Sequence, residues 1–460
     1  MSIESLYSIF QSHPEITTDS RNCPAGSIFF ALKGASFDGN AYALKALELG
    51  CSYAVIDNPE YATDPRCILV DDVLTTLQQL AHHHRLALGT PVIGVTGTNG
   101  KTTTKELIAT VLSEKYNVLY TQGNFNNHIG VPKTLLQLRP EHELAVIEMG
   151  ANHPGEIKTL VDIVEPDCGI ITNVGKAHLE GFGSFEGVIR TKGELYDFLR
   201  ANASNNIIRY SDITKGSVFI HADNEHLMGI AEGLNLIKYG TDSRTDYTVR
   251  GTVTECAPFL TFAWQSSVSQ PAPTSQPSFS QPSSDANNPL SVSTHLIGSY
   301  NIYNMLAAAT IGLRFGITPE QINHALANYI PSNNRSQLTV TAHNKLIVDT
   351  YNANPTSMMA ALQNFRDMKV SPKMAILGDM RELGEVSSEE HQKVVDFLSA
   401  NNINNVWLVG PEFAKTSCAF RKFPDVDAVK AEIAENMPND EYILIKGSNG
   451  IKLFQLPELL

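Results

Sequence analysis

A short apolar segment that runs into a glycine-containing loop constrains the fold of this chain most strongly. Residues 92–96 are rich in β-branched side chains, which is typical of a strand buried in a parallel sheet. The loop that follows reads Gly97-Thr98-Asn99-Gly100-Lys101-Thr102-Thr103. A helical pattern then extends over residues 103–116. Strand, loop and helix in this order predict a βαβ unit with the loop at the carboxyl edge of the sheet.

The composition of this loop is typical of phosphate binding. Glycines let backbone N–H groups close around a phosphate, and the start of the next helix adds a positive field. Lys101 is placed to reach the β- and γ-phosphates, and Thr102 to bring its hydroxyl to Mg²⁺. The spacing G-x-x-G-K-T is shorter than the usual G-x-x-x-x-G-K-[ST], because Val95 stands where the first glycine is expected. The flanking strand and helix therefore carry the prediction of nucleotide binding, against the alternative of an ordinary βα turn.

Length and patterning predict three α/β domains. A chain of 460 residues is too long for one compact core. Short apolar strands alternate with helical segments along most of it, which indicates parallel sheets. We place the domains at residues 1–88, 89–330 and 331–460. Residues 266–294 are rich in Ser, Pro and Gln, so we expect a disordered insertion at the tip of a hairpin in the central domain.

Bulk properties exclude several classes of partner. The formal net charge of −14 argues against nucleic acid or an anionic membrane as the main partner. The six cysteines form no C-x-x-C pair, so neither a zinc site nor a disulfide framework is indicated. We see no apolar run of membrane-spanning length and no basic leader, and we expect a cytoplasmic protein.

Two polar side chains near predicted strand ends are candidates for the chemistry. Glu148 ends the apolar strand 144–147, where a carboxylate can hold Mg²⁺ opposite the loop hydroxyl; the alternative is a solvated carboxylate. His178 follows another strand and is a candidate ligand, although a loop histidine is more often a surface group. Lys192 lies on a predicted helix, where a lysine is ordinarily a solvated charge.

Five segments together resemble the Mur ligase family, from near Thr18 to near Ser448. They are Thr18-Asp19-Ser20-Arg21, residues 26–39, residues 94–103, residues 123–132 and residues 349–358. Within the family they are most similar to the ligases that join D-alanyl-D-alanine to UDP-N-acetylmuramoyl-tripeptide. The Asp-Asn-Pro-Arg motif of the diaminopimelate-adding ligases is absent. Folylpolyglutamate synthases share the loop but lack the pattern of residues 18–39.

The resemblance implies a fold and a set of site residues. The fold is α/β, with a central parallel-sheet ATPase domain flanked by an N-terminal UDP-binding domain and a C-terminal Rossmann-like domain. Two Mg²⁺ ions would be held by Thr102, Glu148, His178 and a carbamylated Lys192, and the catalytic residues would be Lys101, Glu148, His178 and Lys192. The ATP-binding residues would be Thr96, Gly97, Thr98, Asn99, Gly100, Lys101, Thr102, Thr103, Asn301, Asn304, Arg335 and Asp349. The substrate-binding residues would be Ser20, Arg21, Lys33, Gly34, Asp38, Asn124, Asn126, Asn127, Asn352, Asn354, Lys446 and Ser448.

The resemblance also implies the reaction: an ATP-dependent amide ligation through an acyl phosphate, by a protein expected to be a monomer. The third residue of the peptide is either lysine or diaminopimelate. Residues 449–454 depart from the Arg/Met/Glu-containing pattern usual after the Lys-Gly-Ser motif. Two alternatives are another amide ligase of this family with a different amine, and a nucleotide-switched binding protein without catalysis.

Overall fold

Three sheets follow one another along the chain. The structure, a computed structural model, describes residues 1–244, 246–267, 289–331 and 337–460. In these ranges the main sheets have four, nine and six strands, and a separate two-stranded ribbon lies near the N-terminus. Helices accompany each main sheet. The predicted α/β architecture is therefore confirmed.

The first sheet is small and entirely parallel, with strand order β1-β2-β5-β6. The helices and strands of this part are α1 (Ile3–Ser12), β1 (Ile16–Thr17), β2 (Ile28–Phe30), β3 (Lys33–Gly34), β4 (Phe37–Asp38), α2 (Ala43–Glu48), β5 (Tyr53–Ile56), β6 (Cys67–Leu69) and α3 (Val73–Leu88). The Asp72 side chain caps the start of α3, and Gly89 ends the helix in the left-handed conformation. Buried α3 residues such as Leu77 and Leu80 join the first sheet and the central domain in one core.

The second sheet has the order β15-β14-β13-β12-β11-β10-β7-β9-β8. Its strands are β7 (Val92–Thr96), β8 (Val118–Tyr120), β9 (Leu144–Glu148), β10 (Cys168–Ile171), β11 (Ser217–His221), β12 (Leu236–Gly240), β13 (Val249–Cys256), β14 (Phe259–Ser266) and β15 (Leu290–Ile297). Strands β7 to β13 pair in parallel, and β14 and β15 add an antiparallel edge.

Helices cover both faces of this sheet and bury its strands. They are α4 (Lys101–Leu112), α5 (Gly130–Leu135), α6 (Glu156–Val164), α7 (Leu179–Phe182), α8 (Phe185–Ala201), α9 (Glu225–Gly229), α10 (Ile302–Arg314) and α11 (Pro319–Asn328). Residues of α4, α10 and α11 form one core, while α6 and α8 belong to the core that α3 shares. Burial on both faces explains why β7 reads as a continuous apolar run.

The strand order places a crevice beside β7. From β7 the chain crosses to β8 and β9 on one side, and then returns to β10 on the other side. Such a reversal leaves a gap outside the carboxyl ends of the central strands, which is where open α/β sheets bind ligands. The loop 97–100 lies at this point, as the sequence predicts.

The third sheet repeats the arrangement, with order β16-β17-β21-β18-β19-β20 and one antiparallel edge strand, β16. Its helices and strands are β16 (Gln337–Val340), β17 (Lys345–Asp349), α12 (Pro355–Asp367), β18 (Lys373–Gly378), α13 (Ser387–Ala400), β19 (Asn405–Val409), α14 (Pro411–Ala414), β20 (Arg421–Phe423), α15 (Val426–Glu435) and β21 (Tyr442–Lys446). Two apolar clusters cover its two faces.

The segment expected to be a disordered insertion is partly structured, which corrects that expectation. Residue 266 ends β14 and residues 290–294 belong to β15, so the two strands form the hairpin that flanks the segment. Residues 268–288 lie outside the described residues. Among the helices that the structure describes, none combines the length and the apolar character needed to cross a membrane.

A buried ion pair ties α3 to the central sheet and gives a test of the packing. Asp167 Oδ2 accepts hydrogen bonds from Arg85 Nη2 at 2.9 Å and from the Val92 N–H at 2.8 Å. We expect Asp167→Ala to lower the free energy of unfolding by about 3–5 kcal/mol, because Arg85 stays buried without its partner. Urea denaturation followed by circular dichroism measures the loss.

The matched control is Asp162→Ala, which removes an exposed carboxylate that pairs with Lys158 at 2.7 Å. Exposed pairs contribute about 0–1 kcal/mol. Equal losses in the two variants would contradict the importance assigned to the buried pair.

Candidate active site

The loops after β7 and β10 are hydrogen-bonded to each other and form the floor of the site. The Thr98 N–H donates to the Asn173 carbonyl at 2.9 Å, and Thr172 Oγ1 donates to the Asn99 carbonyl at 2.6 Å. Gly97 has φ +142°, and a Cβ there would lie 2.1 Å from Thr172 Oγ1. Only glycine fits this approach, so the loop conformation depends on it.

Lys101 and Thr102 are the first two residues of α4. Lys101 Nζ donates to the Thr98 carbonyl at 3.0 Å, so its ammonium lies over the loop. Gly100 precedes the helix with φ +75° and provides no side-chain cap, which leaves the helix start suited to an anion. The hydroxyl of Thr96, also predicted to contact ATP, instead donates to the Met149 carbonyl at 2.7 Å. Its side chain ties β7 to the end of β9.

The Glu148 carboxylate is buried between two neutral donors. Its Oε1 accepts from Thr102 Oγ1 at 3.3 Å and from Asn126 Nδ2 at 2.8 Å. Its Oε2 is buried and has no hydrogen-bond partner among the residues that the structure describes. An unsatisfied buried carboxylate oxygen is costly. The group is therefore suited to a cation.

A buried lysine sets the backbone around Glu148, and sequence reasoning missed it. Lys105 is fully buried, and its Nζ donates to the Thr121 carbonyl at 2.6 Å. Thr121 Oγ1 in turn accepts from the Glu148 N–H at 2.9 Å. Nothing in the local sequence distinguishes Lys105 from a solvated helix lysine, because its partner comes from another strand.

Lys192 is buried in an environment that disfavours its charge. Its side chain is enclosed next to Phe182, and its Nζ donates to the Ala151 carbonyl at 3.2 Å. Burial, and after it the nearby Lys101 charge, hold the pKa of Lys192 well below the usual lysine range. The site thus favours the neutral, reactive form of the amine.

His178 meets the C-terminal domain. It adopts φ +49°, which is uncommon outside glycine, and its Nδ1 contacts Glu382 Oε2. Burial lowers the pKa of His178; the Glu382 charge opposes this, and the charges of Lys101 and Lys192 add to the lowering. His178, Lys101 and Lys192 therefore lie close enough to influence one another.

A cavity of about 380 Å³ opens beside the loop. Asn301 and Asn304, predicted to contact ATP, line it and are joined by a hydrogen bond of 2.8 Å from Asn304 Nδ2 to Asn301 Oδ1. Sequence reasoning missed His221 and Tyr303 on the same wall, whose ring centroids are 4.0 Å apart. An aromatic wall of this kind can stack on a base.

The C-terminal domain completes this cavity. Asp349 and Lys446 end the neighbouring strands β17 and β21, form an ion pair, and line the cavity together with Asn352 and Asn354. Asn354 Nδ2 donates to Asn99 Oδ1 at 2.8 Å, which joins the two domains directly. The predicted ATP contact Arg335 lies outside the described residues.

A second cavity of about 310 Å³ adjoins the first. The residues that line both cavities are His178, Tyr351, Asn352 and Asn354. The second cavity continues to Arg381, Glu382 and the predicted substrate contact Ser448, whose Oγ accepts from the Arg381 N–H at 3.0 Å. Two compartments thus meet at His178.

The remaining predicted substrate contacts do not line either of these two cavities. Ser20, Arg21, Lys33, Gly34 and Asp38 belong to the N-terminal domain, where Arg21 pairs with Asp19 and Lys33 with Asp57. Asn124, Asn126 and Asn127 share the loop after β8. Lys133, on the helix that follows this loop, donates from Nζ to Thr18 Oγ1 at 3.3 Å. This contact links the N-terminal group to the Glu148 side of the site.

Comparison with known proteins identifies the family. The sequence matches the Mur ligase family, catalytic domain, at residues 14–85, the Mur ligase middle domain at 95–312, and the Mur ligase, glutamate ligase domain at 334–449. The UDP-N-acetylmuramoyl-tripeptide–D-alanyl-D-alanine ligase of Bacillus subtilis (strain 168) is 34% identical over 96% of this chain and 92% of its own. The chain belongs to the Mur ligase family. The Escherichia coli (strain K12) ligase of the same name is 33% identical over 97% of this chain and 93% of its own.

Solved structures agree with this membership. A crystal structure of MurF from Acinetobacter baumannii is 29% identical, covers 96% of this chain and 92% of its own, and has a TM-score of 0.81. MurF ligase from Thermotoga maritima, solved with ADP, covers 97% and 96% with a TM-score of 0.80. At 24% identity, the latter supports the fold alone. The resemblance to Mur ligases seen in the sequence is confirmed.

Glu148 allows stability and function to be separated. We expect Glu148→Gln to keep or raise the melting temperature, because it removes a buried charge with one unsatisfied oxygen while retaining an acceptor for Thr102 and Asn126. If Glu148 holds the cation of a bound nucleotide, as the family resemblance implies, the same change should lower ATP turnover by about 100-fold or more.

Calorimetry and an ADP-release assay give the two readouts. The matched control is Glu143→Gln, which changes a carboxylate just before β9 that accepts from the Asn117 N–H at 3.0 Å. A fall in stability with full turnover in Glu148→Gln would assign the carboxylate a structural role only.

Proposed function

We propose that this protein is an ATP-dependent amide ligase that joins D-alanyl-D-alanine to UDP-N-acetylmuramoyl-tripeptide and releases ADP and phosphate. The observation that carries the proposal is the junction at His178, where a cavity built on a phosphate-type loop meets a second polar cavity. Such a junction suits transfer of a phosphoryl group on one side and attack by an amine from the other. The names of the relatives in the two bacteria support the choice of substrates.

ATP would occupy the larger cavity. The loop 97–100 and the start of α4 would hold its phosphates, and Lys101 would stabilise charge on the transferred group. His221 and Tyr303, with Asn301 and Asn304, would form the base end. Asp349, a residue of the C-terminal domain, would bind the ribose.

Mg²⁺ fits the residues present. Among the described residues no group of three or more His, Cys, Asp or Glu side chains forms a metal cluster, which argues against an all-protein cage. Mg²⁺ instead takes one or two carboxylates together with phosphate oxygens and water. Thr102, Glu148, His178 and a carbamylated Lys192 would hold it, and it would neutralise charge on the phosphates. The unpartnered Glu148 Oε2 supports this assignment.

The two steps use both cavities in turn. The terminal carboxylate of the tripeptide attacks the γ-phosphorus of ATP, the bond to ADP breaks, and an acyl phosphate forms. The neutral amine of D-alanyl-D-alanine then attacks the acyl carbon, phosphate leaves, and the nitrogen loses a proton to give the amide. Contact between the central and C-terminal domains would shield the acyl phosphate from water.

The N-terminal domain would hold the UDP end of the substrate, far from the chemistry. Its binding energy can position the carboxylate without taking part in the reaction. We assign this domain to residues 1–88, the ATP domain to 89–330 and the C-terminal ligase domain to 331–460. The enzyme would act as a cytoplasmic monomer.

Lys192 would be carbamylated on its Nζ. The neutral amine attacks CO₂, a C–N bond forms, and a proton is released, which replaces a cation by a carboxylate. Burial and the nearby Lys101 charge, which lower the pKa of Lys192, favour the neutral amine. The change would also give the basic region formed by Lys101 and His178 an anionic group for metal binding.

An amine panel tests the proposed reaction. With ATP, Mg²⁺, bicarbonate and the UDP-linked tripeptide, we expect ADP release to depend on D-alanyl-D-alanine, and not on diaminopimelate or glutamate. Release with another amine would assign the protein to a different ligase of the family. Nucleotide binding without release on any amine would favour a nucleotide-switched binding protein.

Carbamylation of Lys192 predicts a pH-dependent signal. With ¹³C-bicarbonate, we expect a carbamate carbon resonance that grows as the pH rises through the lowered pKa of Lys192, because only the neutral amine reacts. Lys192→Ala should lose the resonance and most activity, with partial rescue by short carboxylic acids. The control is Lys158→Ala, which changes an exposed lysine. Full activity in untreated Lys192→Ala would refute the assignment.

A further inference from the structure

We propose that Arg381 binds the carboxylate of the attacking dipeptide, with the dipeptide's amine held near Glu382 and His178. This inference rests on the proposed function and names the residue that recognises its amine substrate. Arg381 lines the smaller cavity, the one that adjoins the nucleotide cavity at His178. No local motif in the sequence points to this residue.

The position of the part that the two cavities share decides the orientation of the bound dipeptide. The amine must reach the acyl phosphate, so it must enter from the part of the smaller cavity that is shared with the nucleotide cavity. His178, Asn352 and Asn354 form that shared part. Arg381, Ser448 and Gly450 line the smaller cavity but not the larger one. The carboxylate end of the substrate therefore lies toward Arg381.

The charges of the cavity match a zwitterion. Arg381 brings a permanent positive charge to the wall, and its neighbour Glu382 brings a carboxylate that contacts His178. An extended dipeptide spans at most about 7 Å, so the neighbouring residues Arg381 and Glu382 can contact its two ends.

Arg381 is held in place without an ionic partner. Its backbone N–H donates to Ser448 Oγ at 3.0 Å, and its Nη2 donates to the Gly450 carbonyl at 3.2 Å. It forms no ion pair with any residue that the structure describes, whereas exposed arginines such as Arg21 and Arg366 pair with neighbouring aspartates. A guanidinium has five N–H donors, so this contact leaves capacity for a bidentate carboxylate.

The loop that carries Arg381 is fixed from both domains. The Met380 N–H donates to Nε2 of the buried His391 at 3.0 Å, and the Glu382 carbonyl accepts from the Glu180 N–H at 3.3 Å. Asn449 and Gly450, which lie in the segment that departs from the family pattern, line the same cavity.

Steady-state kinetics with varied D-alanyl-D-alanine tests the inference, at saturating ATP, Mg²⁺ and UDP-linked tripeptide. We expect Arg381→Met to raise KM for the dipeptide about 10- to 100-fold, the size of one charged hydrogen-bonded contact, with kcat within about two-fold. Arg381→Lys should have a KM between those of the native enzyme and Arg381→Met, because an ammonium lacks the planar pair of donors with which a guanidinium binds a carboxylate. The control Arg366→Met changes an exposed arginine that pairs with Asp367 and should leave both constants unchanged.

A substrate analogue separates direct contact from a structural effect. D-alanyl-D-alaninamide lacks the carboxylate, so the native enzyme should bind it weakly. Arg381→Met should not weaken the binding of this amide any further. The inference would be overturned if Arg381→Met left KM for the dipeptide unchanged or lowered kcat alone. It would also be overturned if the variant lost as much affinity for the amide as for the dipeptide. If native enzyme does not use D-alanyl-D-alanine at all, the proposed function fails and the inference falls with it.

Discussion

The carboxylate of Glu148 is the group on which the rest of the site depends. It ends a strand buried on both faces, so its position is set by the sheet and by the hydrogen bond from its N–H to Thr121. Thr102 and Asn126 satisfy one oxygen and leave the other buried. A folded chain keeps such a costly arrangement where a ligand resolves it. The phosphate-type loop, Lys101 and the cavity beside the loop all suit a phosphate with its cation.

The second constraint is that two sheets present their carboxyl edges to each other. The central domain contributes the phosphate loop, and the C-terminal domain contributes Asp349, Lys446 and the loop of Arg381 and Glu382. Asn99 with Asn354, and Lys176 with Glu390 at 3.1 Å, join the domains around the junction. Each cavity therefore has walls from both domains. Chemistry at the junction requires them to be together.

Local pattern was sufficient for most of the fold. Residues 92–96 were predicted as a strand with the bounds observed, because burial on both faces gives them a continuous apolar pattern. Strand β15 was missed because Ser291 and Ser293 alternate with buried Val292 and give the segment a low-complexity composition. Asn126, in contact with Glu148, was found only through family resemblance, while Lys105, Tyr303 and Arg381 were missed. Their partners are distant in sequence, so no local rule points to them.

We propose that one site forms an acyl phosphate from ATP and a carboxylate before an amine attacks. The most direct measurement uses tripeptide substrate labelled with oxygen-18 in its terminal carboxylate, with ³¹P NMR of the phosphate released during ligation to D-alanyl-D-alanine. Transfer of one labelled oxygen to phosphate is the predicted result, because the carboxylate oxygen that attacks ATP leaves with phosphorus. Release of unlabelled phosphate during amide formation would contradict the account.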